Sequence, residues 1–391
     1  MNHDRAGRRG KSGGDWKRPI GEHQRKSLLL ALGFLMLIST AALMASAQAK
    51  WKGSIVREGD VTIVKNPKEP LYKTPVLELK EDLSLGGPDA QGDYVFGEVR
   101  NFVVGDDGAI YVLDAKLGHI KVFDMTGKHL RSIGRSGQGP GELDRPRTLS
   151  LNRAAGELAV LELARRMSFF KLDGTFLRHV SFKEIWALYG HVDSKGRIYV
   201  TEGFVDPKDP RYELKKLGPE AAVMAMLIKT PGPAPGKFNP FMAVGYWRIG
   251  RNDRIVFGYP ETYEIQVFGE DNSQVALKFS RDYDPVAITE EEKAEQKKDT
   301  PPGINLAFSK HHSAYYRFFL SDLGHVIVQT WEKTKDGRFI HDIFDAEGRF
   351  IGRVPLKPSG SEILKGTYYA LETDEDGYQY VKRYAVNWKV K

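Results

Sequence analysis

Six copies of one short pattern run through this chain of 391 residues, and they restrict what it can fold into. They are Gly108-Ala-Ile-Tyr-Val-Leu-Asp114, Gly156-Glu-Leu-Ala-Val-Leu-Glu162, Gly196-Arg-Ile-Tyr-Val-Thr-Glu202, Asp253-Arg-Ile-Val-Phe-Gly-Tyr259, Gly324-His-Val-Ile-Val-Gln-Thr330 and Gly377-Tyr-Gln-Tyr-Val-Lys-Arg383. Each is a turn residue followed by a β-branched or aromatic strand. A supersecondary unit recurring at such intervals is the mark of a propeller blade. The expected fold is all-β: a six-bladed β-propeller with four-stranded antiparallel blades.

The first unit reads strand by strand. Val99–Val104 is strand A, Gly105-Asp-Asp-Gly108 turns the chain, and residues 109–113 form strand B. Residues 120–123 form strand C, Asp124-Met-Thr-Gly127 turns again, and 129–133 form strand D. Gly and Asp clusters between apolar runs are the turn chemistry such hairpins need. The third unit is irregular: 213–217 and 222–228 read either as its C and D strands or as a helical excursion. The sixth reads as A (368–372), B (377–383) and C (384–390), after which the chain stops one strand short. Residues 75–80 are expected to pair beside the last blade and close the ring. Ile55, Val56 and 61–64 are expected across the outside or at the same seam.

Over Gly108–Leu130 and Ile133-Gly134 to Gly139-Pro-Gly-Glu-Leu143 and Pro146, the chain resembles an NHL-type repeat, and most of all the bacterial exported six-bladed β-propeller proteins. Asn66-Pro-Lys-Glu-Pro-Leu-Tyr72 is similar to that group as well. The resemblance implies a fold and an exported location, and little chemistry.

The leader points the same way. A basic region, residues 1–27, precedes an apolar run at 28–45 and small residues at 45–49. Basic flank, apolar core and an A-x-A site make a secretory signal. The alternative is an uncleaved segment, 28–45, tethering the body to a membrane. Residues 50–391 then form the propeller outside the cytoplasm. The net charge of +7 belongs mostly to this leader, which holds eight Lys/Arg and three Asp/Glu. The near-neutral body argues against a nucleic-acid partner. With no cysteine in the chain, disulfides and thiolate chemistry are excluded.

Strand direction assigns the loops to faces. B–C loops and the loops between blades share one end of the propeller, and A–B and C–D turns share the other. Nearly every long loop falls at the first end: Gly134–Pro146, Lys229–Tyr246 and Ser280–Tyr316. Long loops on a rigid scaffold are where sites are built. Lys116, His119, Arg135, Arg145 and Arg147 are candidates there for a cationic patch that takes a carboxylate or sulfated ligand. His311, His312, Tyr315 and Tyr316 form the densest aromatic and imidazole cluster. Thr289 with Glu292 three residues later is a capping box, so a short helix is expected in the longest loop.

The reading favoured is a binding or scaffold protein for a protein, peptide or carbohydrate, with no cofactor and no catalytic residue assigned. The alternative is a metal-dependent lactonase-type hydrolase or lyase. In it Asp114, Glu162 and Glu202, each ending a B strand, converge at the channel mouth, where gluconolactonase-like propellers hold metal. That likeness is of fold only.

Overall fold

The computed structural model describes residues 50–389 except 164, 235, 358 and 359. The leader at 1–49 lies outside the described residues. Three strands come first: β1 (Ser54–Glu58), β2 (Val61–Asn66) and β3 (Leu77–Gly86). Sheet 1 is β4 (Val99–Val104), β5 (Ile110–Asp114), β6 (His119–Phe123) and β7 (His129–Ile133). Sheet 2 is β8 (Pro146–Asn152), β9 (Glu157–Glu162), β10 (Arg166–Lys171) and β11 (Phe176–Ser181). Sheet 3 is β12 (Ala187–Val192), β13 (Ile198–Phe204), β14 (Arg211–Leu217) and β15 (Val223–Pro231). Sheet 4 is β16 (Tyr246–Ile249), β17 (Ile255–Gly258), β18 (Glu264–Phe268) and β19 (Val275–Arg281). The helix α1 (Glu290–Asp299) follows, then sheet 5: β20 (Arg317–Leu320), β21 (Val326–Lys333), β22 (Phe339–Phe344) and β23 (Phe350–Leu356). Sheet 6 is β24 (Gly360–Leu364), β25 (Thr367–Thr373), β26 (Gln379–Trp388) and, at its outer edge, β3. The molecule is a six-bladed β-propeller.

The cores lie between blades rather than within them. Leu113, Leu149 and Phe170 pack sheets 1 and 2; Leu161, Phe169 and Val200 pack 2 and 3; Tyr199, Trp247 and Phe268 pack 3 and 4. Phe279, Phe318 and Phe344 pack 4 and 5; Ile327, Ile343 and Tyr368 pack 5 and 6; Phe102, Phe123 and Tyr369 pack 6 and 1. A blade is thus covered on both faces. That is why β5 and the last five residues of β9 are buried without alternation, where a one-sided sheet would show period two.

The recurrent turn residue has one physical cause: Gly108, Gly156, Gly196, Asp253, Gly324 and Gly377 all have positive φ, 60° at Asp253. Glycine takes that region without a Cβ penalty, and Asp is among the residues that tolerate it.

The sixth copy corrects the strand order expected for the last unit. Thr367–Thr373 is the second strand of sheet 6 and not the first. Residues 379–388 are one continuous third strand, and the inner strand is Gly360–Leu364. The turn at 374–377 therefore lies at the opposite end from the other five. The third unit is all strand, with β14 and β15 paired.

The N-terminal segment crosses the outer edges of three blades. β2 pairs parallel to β19, with β1 beyond it, so residues 54–66 extend sheet 4 instead of lying at the last seam. Leu71 and Tyr72 donate backbone N–H groups to Phe350 and Ile351 of sheet 5 (2.9 and 3.0 Å). There Val76 lies where a Cβ on Gly352 would have to go. β3 then pairs antiparallel with β26, from Leu77↔Trp388 to Gly86↔Tyr380. Buried Asn66 fastens the segment. Its amide donates to Ser280 O (3.0 Å) and Gly348 O (2.8 Å), and its carbonyl accepts from Trp51 Nε1 (3.0 Å) and Phe350 N (2.7 Å).

Candidate functional site

The six inner strands surround a central cavity of about 450 Å³. Their side chains alternate toward the axis, so equivalent positions in different blades meet there: Val103, Ser150, His191 and Arg248, with Arg317 nearer the start of its strand. Among the described residues, none of the segments 232–245 or 282–316 contributes to its lining.

At the A–B end, ion pairs tie the blades together. Asp106, in the turn of sheet 1, meets Arg251 of sheet 4 (3.1 Å) and Arg153 of sheet 2 (3.6 Å). Sheets 1 and 4 are three apart in a ring of six, so the Arg251–Asp106 pair spans the axis. Arg153 also pairs with Glu362 of sheet 6 (3.1 Å), and burial raises the Glu362 carboxyl above its ordinary range. Lys365 donates Nζ to Asp106 O (2.8 Å) and its backbone N–H to Asp322 (2.7 Å). Asp253 of sheet 4 accepts from the hydroxyl and backbone N–H of Ser194 in sheet 3. These contacts link the blades across the A–B end of the cavity.

Toward the loop end the lining is cationic. Arg248 donates to the Tyr189 hydroxyl and to Trp247 O (3.1 Å), and its guanidinium lies over the Tyr246 ring at 4.2 Å. Guanidinium has donors only, so the Tyr189 oxygen accepts, and its own O–H is left to donate to His191 Nε2, 2.6 Å away. His191 is therefore neutral, and burial beside Arg248 pushes its pKa down to about 3. Arg317 donates Nε–H to Gln329 Oε1 (3.2 Å) and faces the Tyr316 ring at 5.1 Å. Desolvation lowers both guanidiniums below the usual arginine range, and the charge of Arg317 adds to the effect at Arg248. Among the described residues no carboxylate comes within ion-pairing distance of Arg248, Arg317 or Arg147. Arg100, also in the lining, pairs with Glu98 (2.8 Å).

Of the candidate patch, only Arg147 reaches this cavity. Lys116 is exposed in the turn after β5. His119 begins β6 opposite Asp114, half-buried, with its pKa lowered by desolvation. Arg135 pairs with Glu142 (2.8 Å) and Arg145 with Asp144 (3.1 Å), inside their own loop. The patch is thereby dispersed, because two of its cations are already neutralised locally.

The imidazole and aromatic cluster also separates. His312 is buried, stacked on Trp331 (centroids 4.1 Å apart), and its Nε2 donates to Glu292 Oε2 (3.1 Å). His311 forms an isolated bridge to Ala287 in the strand pattern. Tyr315 is wholly buried and donates to Glu264 O (3.2 Å), which leaves Tyr316 exposed at the edge of Trp331. The two long loops pack on each other: Phe238 exchanges backbone bonds with Asn305 and Ala307 (2.9 Å each), and Phe241 meets His312 edge-on. They brace blades 4 and 5.

Asp114, Glu162 and Glu202 do not converge; each clamps the loop entering its own blade. Asp114 accepts from the N–H groups of Gly97 (2.7 Å), Glu98 and Leu117 (3.1 Å each). Glu162 accepts from Asp144 N (2.6 Å), Arg166 (2.7 Å) and the Ser168 hydroxyl. Glu202 accepts from Trp186 N (3.1 Å) and Lys215 Nζ (2.5 Å). A carboxylate buried at a strand end needs donors, and the loop backbone supplies them. Among the described residues no three His, Asp or Glu side chains are grouped to hold a metal ion, so the shared site of the hydrolase alternative has no donor set.

Sequence reasoning followed the second strands and missed Arg248, Arg317, Tyr189 and His191, which stand on the first. The available signal was an arginine inside Tyr246-Trp-Arg-Ile249 and at the head of Arg317-Phe-Phe-Leu320, strands otherwise aromatic or aliphatic.

The sequence model of DUF5128, described as a 6-bladed beta-propeller, matches residues 90–376. Among the solved structures that share the fold are two from Bacteroides species. One is a Bacteroides fragilis protein described as exported, 12% identical, covering 84% of this chain and 100% of its own, with a TM-score of 0.54. The other is a DUF4221 family member from Bacteroides vulgatus, 13% identical, covering 80% and 99%, with a TM-score of 0.53. No curated protein matches the sequence. Among the described residues no helix is long and apolar enough to cross a membrane.

Proposed function

Because this chain belongs to the DUF5128 six-bladed β-propeller family, whose description gives a fold and no reaction, we propose from its own geometry that it is an exported ligand-binding protein. The ligand is a peptide or carbohydrate, free or carried on a larger partner, and it enters the central cavity from the loop end. The observation that carries this reading is the cavity itself: about 450 Å³, crossed at its A–B end by ion pairs between blades and lined with polar and aromatic groups. Such a volume is within the range of small-ligand sites. Export is supported by the basic, apolar and small-residue order of the leader and by the exported description of the Bacteroides fragilis neighbour.

The test uses residues 50–391 on peptide and glycan arrays, beside Val103→Trp, which fills the cavity from sheet 1. Binding to a defined subset is expected, reduced at least about tenfold by Val103→Trp at unchanged circular dichroism. Equal binding by the filled variant would remove the cavity from consideration, and silence across both arrays would count against binding as the role.

A further inference from the structure

We infer that Arg248 and Arg317 receive an oxyanion, the carboxylate or sulfate of a small ligand, with Arg147 at the rim. This deepens the cavity reading and rests on it. Three observations converge. First, both guanidiniums line the cavity, and among the described residues neither has a carboxylate partner. Arginine stays protonated in proteins, so neither can shed its charge, and each like charge makes the other less favourable. Second, both are held by neutral groups: Arg248 by the Tyr189 hydroxyl, Trp247 O and the Tyr246 ring, Arg317 by Gln329 and the Tyr316 ring. Neutral acceptors fix orientation and leave the charge uncompensated, which is how a preorganised anion site differs from a structural ion pair. Third, the acids of the same cavity are engaged at the opposite end. Asp193 is held by Arg197 (2.6 Å) and Tyr199 (3.1 Å), Glu362 by Arg153, and Asp253 by Ser194. The loop-side half is left with an excess of positive charge.

The test measures thermal unfolding and calorimetric titration of residues 50–391 with glucuronate, glucose 6-sulfate, inorganic sulfate and neutral glucose, at ionic strength matched with chloride. Wild type is expected to bind the three oxyanions in preference to glucose, with a rise in Tm that chloride does not reproduce. Arg248→Met and Arg317→Met should each weaken this binding about tenfold or more. Arg57→Gln, a charge loss on the exposed strand β1, should leave it intact. Without anion, Arg317→Met is expected to unfold at or above the wild-type Tm, since it removes an uncompensated, largely desolvated charge. Glucuronate shared with glucose 6-sulfate marks a general oxyanion site; glucuronate alone marks a carboxylate site. An oxyanion response no greater than that to glucose, or one that survives both arginine substitutions, overturns the assignment. Should neutral array ligands still bind and still be displaced by Val103→Trp, the cavity reading stands without it. Should the filled variant bind the oxyanions as wild type does, both fall.

Discussion

His341 is a buried imidazole and His191 a half-buried one on the cavity wall, and both are held neutral by their surroundings. His191 faces Tyr189 on its own strand and Trp247 and Arg248 from sheet 4, and its pKa is pushed down to about 3. His341 meets Phe319 edge-on, its Nδ1 donates to Phe339 O (3.0 Å), and burial takes it to about 4. A folded pKa below the unfolded value of about 6.5 means that the unfolded chain binds the proton more tightly between the two values. The stabilisation is fully present above about pH 6.5, is lost as pH falls, and stops changing below the folded pKa. Each histidine should therefore cost about 2 kcal/mol of stability between pH 7 and pH 5. His191→Gln is expected to flatten that loss by about this amount, read as the difference in urea midpoint at the two pH values. An unchanged slope would show that His191 titrates alike in the folded and unfolded chain. At this scale the sequence carried residue types without their partners. Asp114, Glu162 and Glu202 stand at equivalent strand ends, but pattern alone cannot distinguish a channel ligand from a clamp on the N–H groups of Gly97, Asp144 and Trp186.

Among the elements, α1 depends most on its ends. It has no buried residue, so tertiary packing does little for it. Thr289 accepts from Glu292 N (3.1 Å), and the Glu292 carboxylate accepts from Thr289 N (2.9 Å) and from His312. That one carboxylate joins the cap to the buried His312–Trp331 stack. Removing the N-cap hydroxyl costs about 1 kcal/mol, so Thr289→Ala should speed hydrogen exchange in α1 about fivefold while the global Tm stays put. Unchanged exchange would mean that the loop, and not the cap, sets the helix. This helix was legible because a capping box is local chemistry. The order of strands in sheet 6 was not. Asp374–Gly377 makes the same turn as the A–B turns of sheets 1, 3, 4 and 5, and turn chemistry does not record which end of a blade it serves. The neighbouring A–B turn, Lys365-Gly366, is a different two-residue hairpin with both φ values positive, so it matched no repeat.

Across the whole molecule, six interblade cores bury both faces of each sheet, and the remaining exposure is at the outer edges, where unpaired N–H and C=O groups invite association. The N-terminal segment covers three of these edges in succession: β2 on β19, Leu71 and Tyr72 on β23, and β3 on β26. The blade count was legible in the repeat, because each unit carries its own turn and strand signals. The route of the segment was not, because pairing at a sheet edge is decided by contacts more than two hundred residues apart, such as Asn66 with Ser280 and Phe350. Two truncations separate its parts. Removing residues 50–66 takes away β1, β2 and the four side-chain hydrogen bonds of Asn66, and leaves Ser280 O, Gly348 O and Phe350 N without that partner. At about 1 kcal/mol for each such group, a monomer destabilised by roughly 3 kcal/mol is expected. Removing residues 50–86 also takes β3, so sheet 6 keeps three strands and β26 becomes an open edge along its whole length. Leu77 and Leu85 leave the cores on either side of that sheet. Loss of cooperative unfolding and association in light scattering are then expected. A monomer that melts at the wild-type temperature after the longer truncation would show that the ring holds through its interblade cores alone, with β3 as an ornament on its rim.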